Sequence, residues 1–274
     1  MQANKYFKLA ALCAALGASA FANAALVHNQ NVLGNVIFGT GGQVNGGFTT
    51  GTSATGGIQV GLRARERHDL ATDSPSNVFG SNGNGTFNQN AGEPAGFGGP
   101  AQNRARWNFD WSINTGGFAL SAFTYRIGID FDAGFGTNFL TFDLLKGANP
   151  NPLAGGAVIY DHSFGNNGTA MSAGAEATSV ANYAFLMMNN NLVQNSWNMD
   201  FYELGTIPSS FPFDPTVNGN YSIFLEVIGA NGLLARSDIT VIVGTGANVV
   251  PEPGTLALAG LALAGLGFAR RRRT

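Results

Sequence analysis

Sulfur chemistry is almost absent from this chain. Cys13 is the one cysteine in 274 residues, and it lies in a leading segment that reads as removable. The remainder therefore has no disulfide, no thiolate metal ligand and no cysteine nucleophile. Small exported domains often depend on disulfides, but a span of about 225 residues buries enough surface to fold without them. Charge is scarce as well. Asp, Glu, Lys and Arg make up 11% of the residues, against roughly 25% in ordinary globular proteins. With the basic residues of the two ends set aside, eight basic residues face sixteen acidic ones, a formal charge near −8. That excludes nucleic acid and anionic membrane surfaces as partners held by long-range charge, and it favours divalent cations as companions. Histidine is limited to His28, His68 and His162, far apart and without an H-E-x-x-H pair, and no G-x-S-x-G elbow occurs.

Glycine, by contrast, is plentiful at 39 residues, about twice its usual share. The 21 Phe, 3 Trp and 6 Tyr are too much apolar mass for a disordered chain. Residues 1–24 read as a signal peptide. Lys5 and Lys8 supply the positive start, and residues 9–21 an apolar run too short for the ~20 residues of a spanning helix. Ala22 and Ala24 satisfy the small-x-small rule of signal peptidase, so cleavage leaves Ala25 first. Leu12 before Cys13 excludes a lipobox.

Between the ends the signal is strand and turn. Trp107, Phe109, Trp111 and Ile113 alternate with Asn108, Asp110, Ser112 and Asn114. Beyond Thr115, Gly116 and Gly117, residues Phe123, Tyr125, Ile127, Ile129 and Phe131 alternate again. A period of two on both sides of a glycine turn predicts a β-hairpin over 107–131 with one buried aromatic face. Residues 221–228 and 233–243 flank Gly229 and Gly232 and predict a second hairpin, with Arg236 and Asp238 on its outer face. Further strands are expected at 35–38, 57–62, 139–145, 157–160 and 197–201. Val180, Tyr183, Ala184, Met187 and Met188 stand at helical spacing and predict one short helix within 176–190, ended by Asn189, Asn190 and Asn191. Arg63, Arg65 and Arg67 alternate; they read as a solvated strand edge that discourages sheet-to-sheet pairing, with an anionic-ligand patch as the alternative. Residues 74–100, rich in Gly, Asn, Ser and Pro, read as a long flexible loop.

Many short strands and no internal repeat predict one all-β domain over 25–248, a β-sandwich or jelly-roll-like ectodomain. A signal helix precedes it in 1–24, and an apolar helix follows in 249–274. Within the domain, Asp130 and Asp132 are alternate residues on one strand face. With Asp143 and carbonyls of the glycine turn at Gly134, they are the best candidates for hard oxygen ligands to Ca²⁺. The arrangement is not an EF-hand, since Thr141 stands where the twelfth-position carboxylate belongs, and an ordinary strand-end turn competes with it. Asp161, His162 and Ser163 combine triad residue types, but strand neighbours point to opposite faces, so no triad is read there. Paired carboxylates for glycoside hydrolysis would be distant in sequence. Trp197 as a sugar-stacking platform competes with a core role.

The last segment combines three features. Pro251, Glu252 and Pro253 come first, an uncharged apolar stretch over 255–269 follows, and Arg270, Arg271, Arg272 and Arg273 close it. The prolines keep the preceding chain extended, and the arginines hold that end in the cytoplasm. Fifteen residues at 1.5 Å rise give about 22 Å, short of the ~30 Å hydrocarbon core, which suits a transient span. The tail resembles the PEP-CTERM sorting signal. The resemblance implies that an exosortase-type membrane protease reads the tail and cuts near Pro251, Glu252 and Pro253, in a cell that makes exopolysaccharide. Through WNFDWSIN, GIDFD, NSWNMDF and SDITVIVG the ectodomain also resembles uncharacterised regions that accompany such tails, which carry no known activity. The expectation is an exported envelope or extracellular-matrix protein with a non-enzymatic structural role. A polysaccharide- or Ca²⁺-binding module is the alternative, and an envelope hydrolase the third reading.

Overall fold

The computed structural model describes residues 25–39, 43–55, 57–67, 78–94, 104–145, 162–199, 211 and 213–247. The chain there is mostly β, in two facing sheets. The first sheet has the order β1 (Val27–Gln30), β2 (Phe48–Thr52), β3 (Gln59–Glu66), β5 (Trp107–Asn114), β9 (Leu192–Trp197) and β8 (Ser163–Gly165). The second runs β4 (Thr86–Gln89), β11 (Gly232–Val243), β10 (Gly219–Gly229), β6 (Thr124–Asp130) and β7 (Phe139–Phe142). Every described pairing is antiparallel except β4 with β11. The expected sandwich is formed. Its signal and tail helices fall outside the described residues.

Alternation builds the core. Trp107, Phe109, Trp111 and Ile113 of β5 face Tyr221, Ile223, Leu225 and Val227 of β10 and Ile239, Val241 and Val243 of β11, all buried in one cluster. The rings of Trp107 and Tyr221 lie 6.1 Å apart across the two sheets. The 221–243 hairpin is as expected: Gly229 pairs with Gly232 around a two-residue loop, and Gly232 takes φ +113°, where a side chain would be strained. The expected helix is α1 (Val180–Asn189), capped by the Ser179 side chain accepting from the Asn182 N–H at 3.1 Å. Tyr183 and Leu186 are its buried residues, while Val180 and Met188 are exposed. The apolar spacing located the helix but not its inner face.

Four expectations are corrected. The 107–131 hairpin does not exist, because β5 is already paired on both edges, with β3 and with β9. The turn after Asn114 is tied to Asn191, and a 3-10 turn (Leu120–Ala122) carries the chain to β6 in the other sheet. Residues 35–38 are not a strand; they cross the outer face of the first sheet with Val36, Ile37 and Phe38 buried. Inside 74–100, Thr86–Gln89 is a strand, since the outer edge of β11 offers it a parallel ladder. The 197–201 strand starts earlier and ends at Trp197. The strand expected at 157–160 lies outside the described residues.

Arg63 and Arg65 are also not a solvated edge. They project from a central strand onto the outer face of the first sheet, yet are 0% and 3% exposed. Residues 31–39 and 43–48 cover that face and form a small second core of Val32, Val36, Phe38 and Phe48. Beneath it, Arg63 Nε donates to Asp110 Oδ2 at 2.7 Å and Arg65 Nε to Asp110 Oδ1 at 3.0 Å. Arg63 Nη1 also donates to the carbonyls of Val44 and Gly46, and its guanidinium sits 4.2 Å and 4.3 Å from the rings of Phe48 and Phe79. Burial pushes the Asp110 carboxyl up, but the charges of Arg65 and Arg63 and the Ser196 hydroxyl outweigh it and hold the group below the usual carboxylate range.

Candidate functional site

The end of the sandwich where β6 finishes and β10 begins carries an open pocket of about 460 Å³, lined by Phe131, Asp132, Ala133, Asn138, Phe213, Asp214, Val217 and Tyr221. Its aromatic wall is braced by edge contacts. Phe131 lies 5.9 Å from Phe211 and 6.3 Å from Phe213, and Phe213 lies 5.6 Å from Tyr221. Tyr221 in turn packs on Trp107, which fixes the wall to the core.

Asp130 and Asp132 are both here. Asp130 is fully buried; its Oδ1 accepts from the N–H of Asp132 at 3.0 Å and of Asn138 at 2.7 Å. These bonds set the loop from β6 to β7, so the strand-end turn expected from the sequence is part of the answer. Asp130 Oδ2, however, is buried with no hydrogen-bond partner, and a buried carboxylate oxygen left unpaired is costly. Asp132 Oδ1 accepts from the N–H of Gly134 at 2.7 Å. Exposed Asp214 accepts from the Thr216 hydroxyl at 2.6 Å and the Thr216 N–H at 2.9 Å, and these bonds lower its pKa. Burial first, then the charges of Asp214, Asp130 and Asp132, push the Tyr221 phenol up to about 12. Its hydroxyl therefore stays protonated at neutral pH.

Asp143 is not part of this group. It accepts from the N–H of Leu145 and acts electrostatically on Tyr125. Tyr125 is five residues back along β6 from Asp130, about 17 Å at strand spacing. The three-aspartate calcium arrangement is thus not assembled, because Asp143 caps its own turn elsewhere. Among the described residues no three of His, Cys, Asp and Glu gather as a metal cluster. Phe213, Asp214, Val217 and Tyr221 were missed as site residues. The signal available for them was the aromatic and proline-rich run FPFDPTVNGNY at 211–221, directly before the most regular strand.

His162 is buried among Trp111, Trp197, Phe164 and Tyr183, with ring centroids 5.4 to 6.2 Å away. Its Nδ1 is 2.9 Å from the Tyr183 hydroxyl, and burial pushes its pKa down to about 3. Asp161 and His68 lie outside the described residues, and His28 pairs with the Thr49 hydroxyl at 3.2 Å. Trp197 is 2% exposed and serves the core.

The signal-cleavage residues Ala22 and Ala24 and the tail residues Pro251, Glu252, Pro253, Arg270, Arg271, Arg272 and Arg273 lie outside the described residues. The family model of the PEP-CTERM protein-sorting motif matches residues 249–273. The chain carries a PEP-CTERM sorting motif. No curated protein and no solved structure matches it. The PEP-CTERM motif marks an exported, envelope-associated protein processed by an exosortase-type system. The described residues contain no helix long and apolar enough to cross a membrane.

Proposed function

We propose that this is a non-enzymatic surface or matrix protein whose sandwich is delivered, as a folded body, into an exopolysaccharide-rich envelope. Signal peptidase removes 1–24. The apolar part of the tail then holds the chain transiently in the inner membrane, and an exosortase-type protease cuts near Pro251, Glu252 and Pro253. The observation that carries this reading is the PEP-CTERM motif at 249–273. It begins just after Ala247, whose N–H donates to Asn220 Oδ1 of β10 at 3.3 Å. The folded domain thus reaches almost to the sorting signal.

A plain anchor requires only apolarity and a positive cytoplasmic end, whereas a protease-read signal requires the motif itself. Changing Pro251, Glu252 and Pro253 together to Ala, in a host with an exosortase, is expected to accumulate a slightly heavier precursor retained in the membrane. The wild type loses a small fragment bearing the arginines at 270–273. Maturation and localisation of the triple variant like wild type would sink the proposal.

A further inference from the structure

We propose that the pocket between Phe131, Asp132, Phe213, Asp214 and Tyr221 is a saccharide-binding site for neutral or amino-substituted sugars. The inference rests on the matrix reading above only for the source of its ligand. Its volume of about 460 Å³ is that of a cavity for an organic molecule, not for a lone ion. Its lining has the two chemistries that a pyranose ring presents. The C–H face of a sugar is apolar and lies flat on an aromatic ring, and here the half-buried Phe213 offers that ring, held in place by the buried Phe131 and Tyr221 behind it. The rim of a sugar carries hydroxyls that need both acceptors and donors. Asp132 and Asp214 offer carboxylate oxygens, Asn138 an amide, and Tyr221 a protonated hydroxyl.

Behind the lining lies the buried Oδ2 of Asp130, which has no hydrogen-bond partner. It belongs to the carboxylate that shapes the pocket loop through the N–H groups of Asp132 and Asn138. Its charge also acts on the Tyr221 hydroxyl. Charge sets the selectivity. Asp132 and Asp214 at the opening, with Asp130 buried behind them, in a domain with an excess of acidic residues, repel uronic acids and sulfated or phosphorylated sugars while tolerating neutral ones and attracting ammonium groups.

The test uses the mature exported protein against immobilised neutral, amino-substituted and acidic oligosaccharides. Binding to a neutral or amino-substituted class, and none to the acidic class, is the expected result. Asp214→Asn alters an exposed side chain, and Tyr221→Phe removes only a hydroxyl, so both variants keep the fold. Each is expected to weaken binding about tenfold at unchanged thermal stability. Phe213→Ala weakens it further, and Phe185→Ser on the exposed face of α1 leaves it unchanged. The proposal is overturned if no oligosaccharide binds at millimolar concentration, if the pocket variants bind like wild type, or if EDTA abolishes binding and Ca²⁺ restores it, which would give the carboxylates to a metal. Fragmentation of a bound oligosaccharide would leave the pocket assignment standing and overturn the non-enzymatic reading instead.

Discussion

Two buried ionisable residues give the stability of this fold two separate dependences on pH. His162 is held neutral by burial, its pKa down at about 3, whereas in the unfolded chain it titrates near its ordinary ~6.5. Below that value the unfolded chain binds a proton that the fold does not. The His162 contribution is therefore complete above pH ~6.5 and falls by up to about 1.4 kcal/mol per pH unit as pH drops toward the folded value. Urea denaturation at pH 6.5 and pH 5 is expected to show a loss of roughly 2 kcal/mol from this residue. His162→Gln, which can still bond to Tyr183, should lose correspondingly less; an identical slope in the variant would refute the assignment. Asp110 acts in a lower window. Its folded pKa is depressed by Arg65 and Arg63, so its contribution is present above the unfolded carboxylate value near 4 and is lost only as pH falls through the folded one. Asp110→Asn leaves two guanidiniums buried without their counter-ion, at a cost of about 3–5 kcal/mol. A shift of the urea midpoint by that amount at pH 7 is the expected readout, and a near-neutral effect would mean that water reaches the pair.

At the scale of elements, burial on both faces of β5 is what the sequence concealed. Its alternation of Trp, Phe and Ile with Asn, Asp and Ser is the pattern of a strand with one face in water. Here the polar residues are buried too, bonded to one another and roofed by residues 31–39 and 43–48. Alternation reports which residues share a face; it does not report whether a segment distant in sequence will cover the polar one. The same gap explains Arg63 and Arg65, and the supposed 107–131 hairpin, where two alternating runs joined by glycines fit a hairpin and a crossing between sheets equally well. The 221–243 hairpin was legible because its partner lies next in sequence, and α1 because its apolar spacing is local. Of the pocket, Asp130 and Asp132 were legible as carboxylates on one strand face, while the 211–221 segment, 80 residues on, is brought to them only by the pairing of β10 with β6. The irregular roof should therefore matter as much as a regular element. Phe38→Ala is expected to cost about 3–5 kcal/mol, and Met188→Ser on the exposed side of α1 less than about 0.5 kcal/mol, both read from denaturant midpoints. Equal, small effects would mean that the roof is not part of the cooperative unit.

At the scale of the whole molecule, the pocket and the last described residues before the sorting tail share one end of the sandwich. Asn220 joins them directly: its N–H donates to the carbonyl of Ala133 in the pocket wall, and its side chain accepts from Ala247. From Ala247 to Thr255, where the apolar stretch begins, the chain spans at most about 29 Å even when fully extended. If the apolar part of the tail sits in the inner membrane, as proposed, the pocket end of the sandwich is tethered within about that reach of the bilayer surface until the tail is cut. On the proposed binding role, processing would then do more than set the location of the protein, because it would release that end from the bilayer. The variant with Ala at 251, 252 and 253 allows the two states to be compared, since its sandwich is unchanged while its tail stays attached. Spheroplasts displaying this precursor are expected to bind a neutral or amino-substituted oligosaccharide more weakly than an equal amount of mature protein, and detergent extraction of the precursor should abolish the difference. The bilayer, rather than the extra residues, would then be the cause. Equal binding before and after extraction would show that the pocket stands clear of the membrane, and that cleavage governs where the protein goes without governing what it can hold.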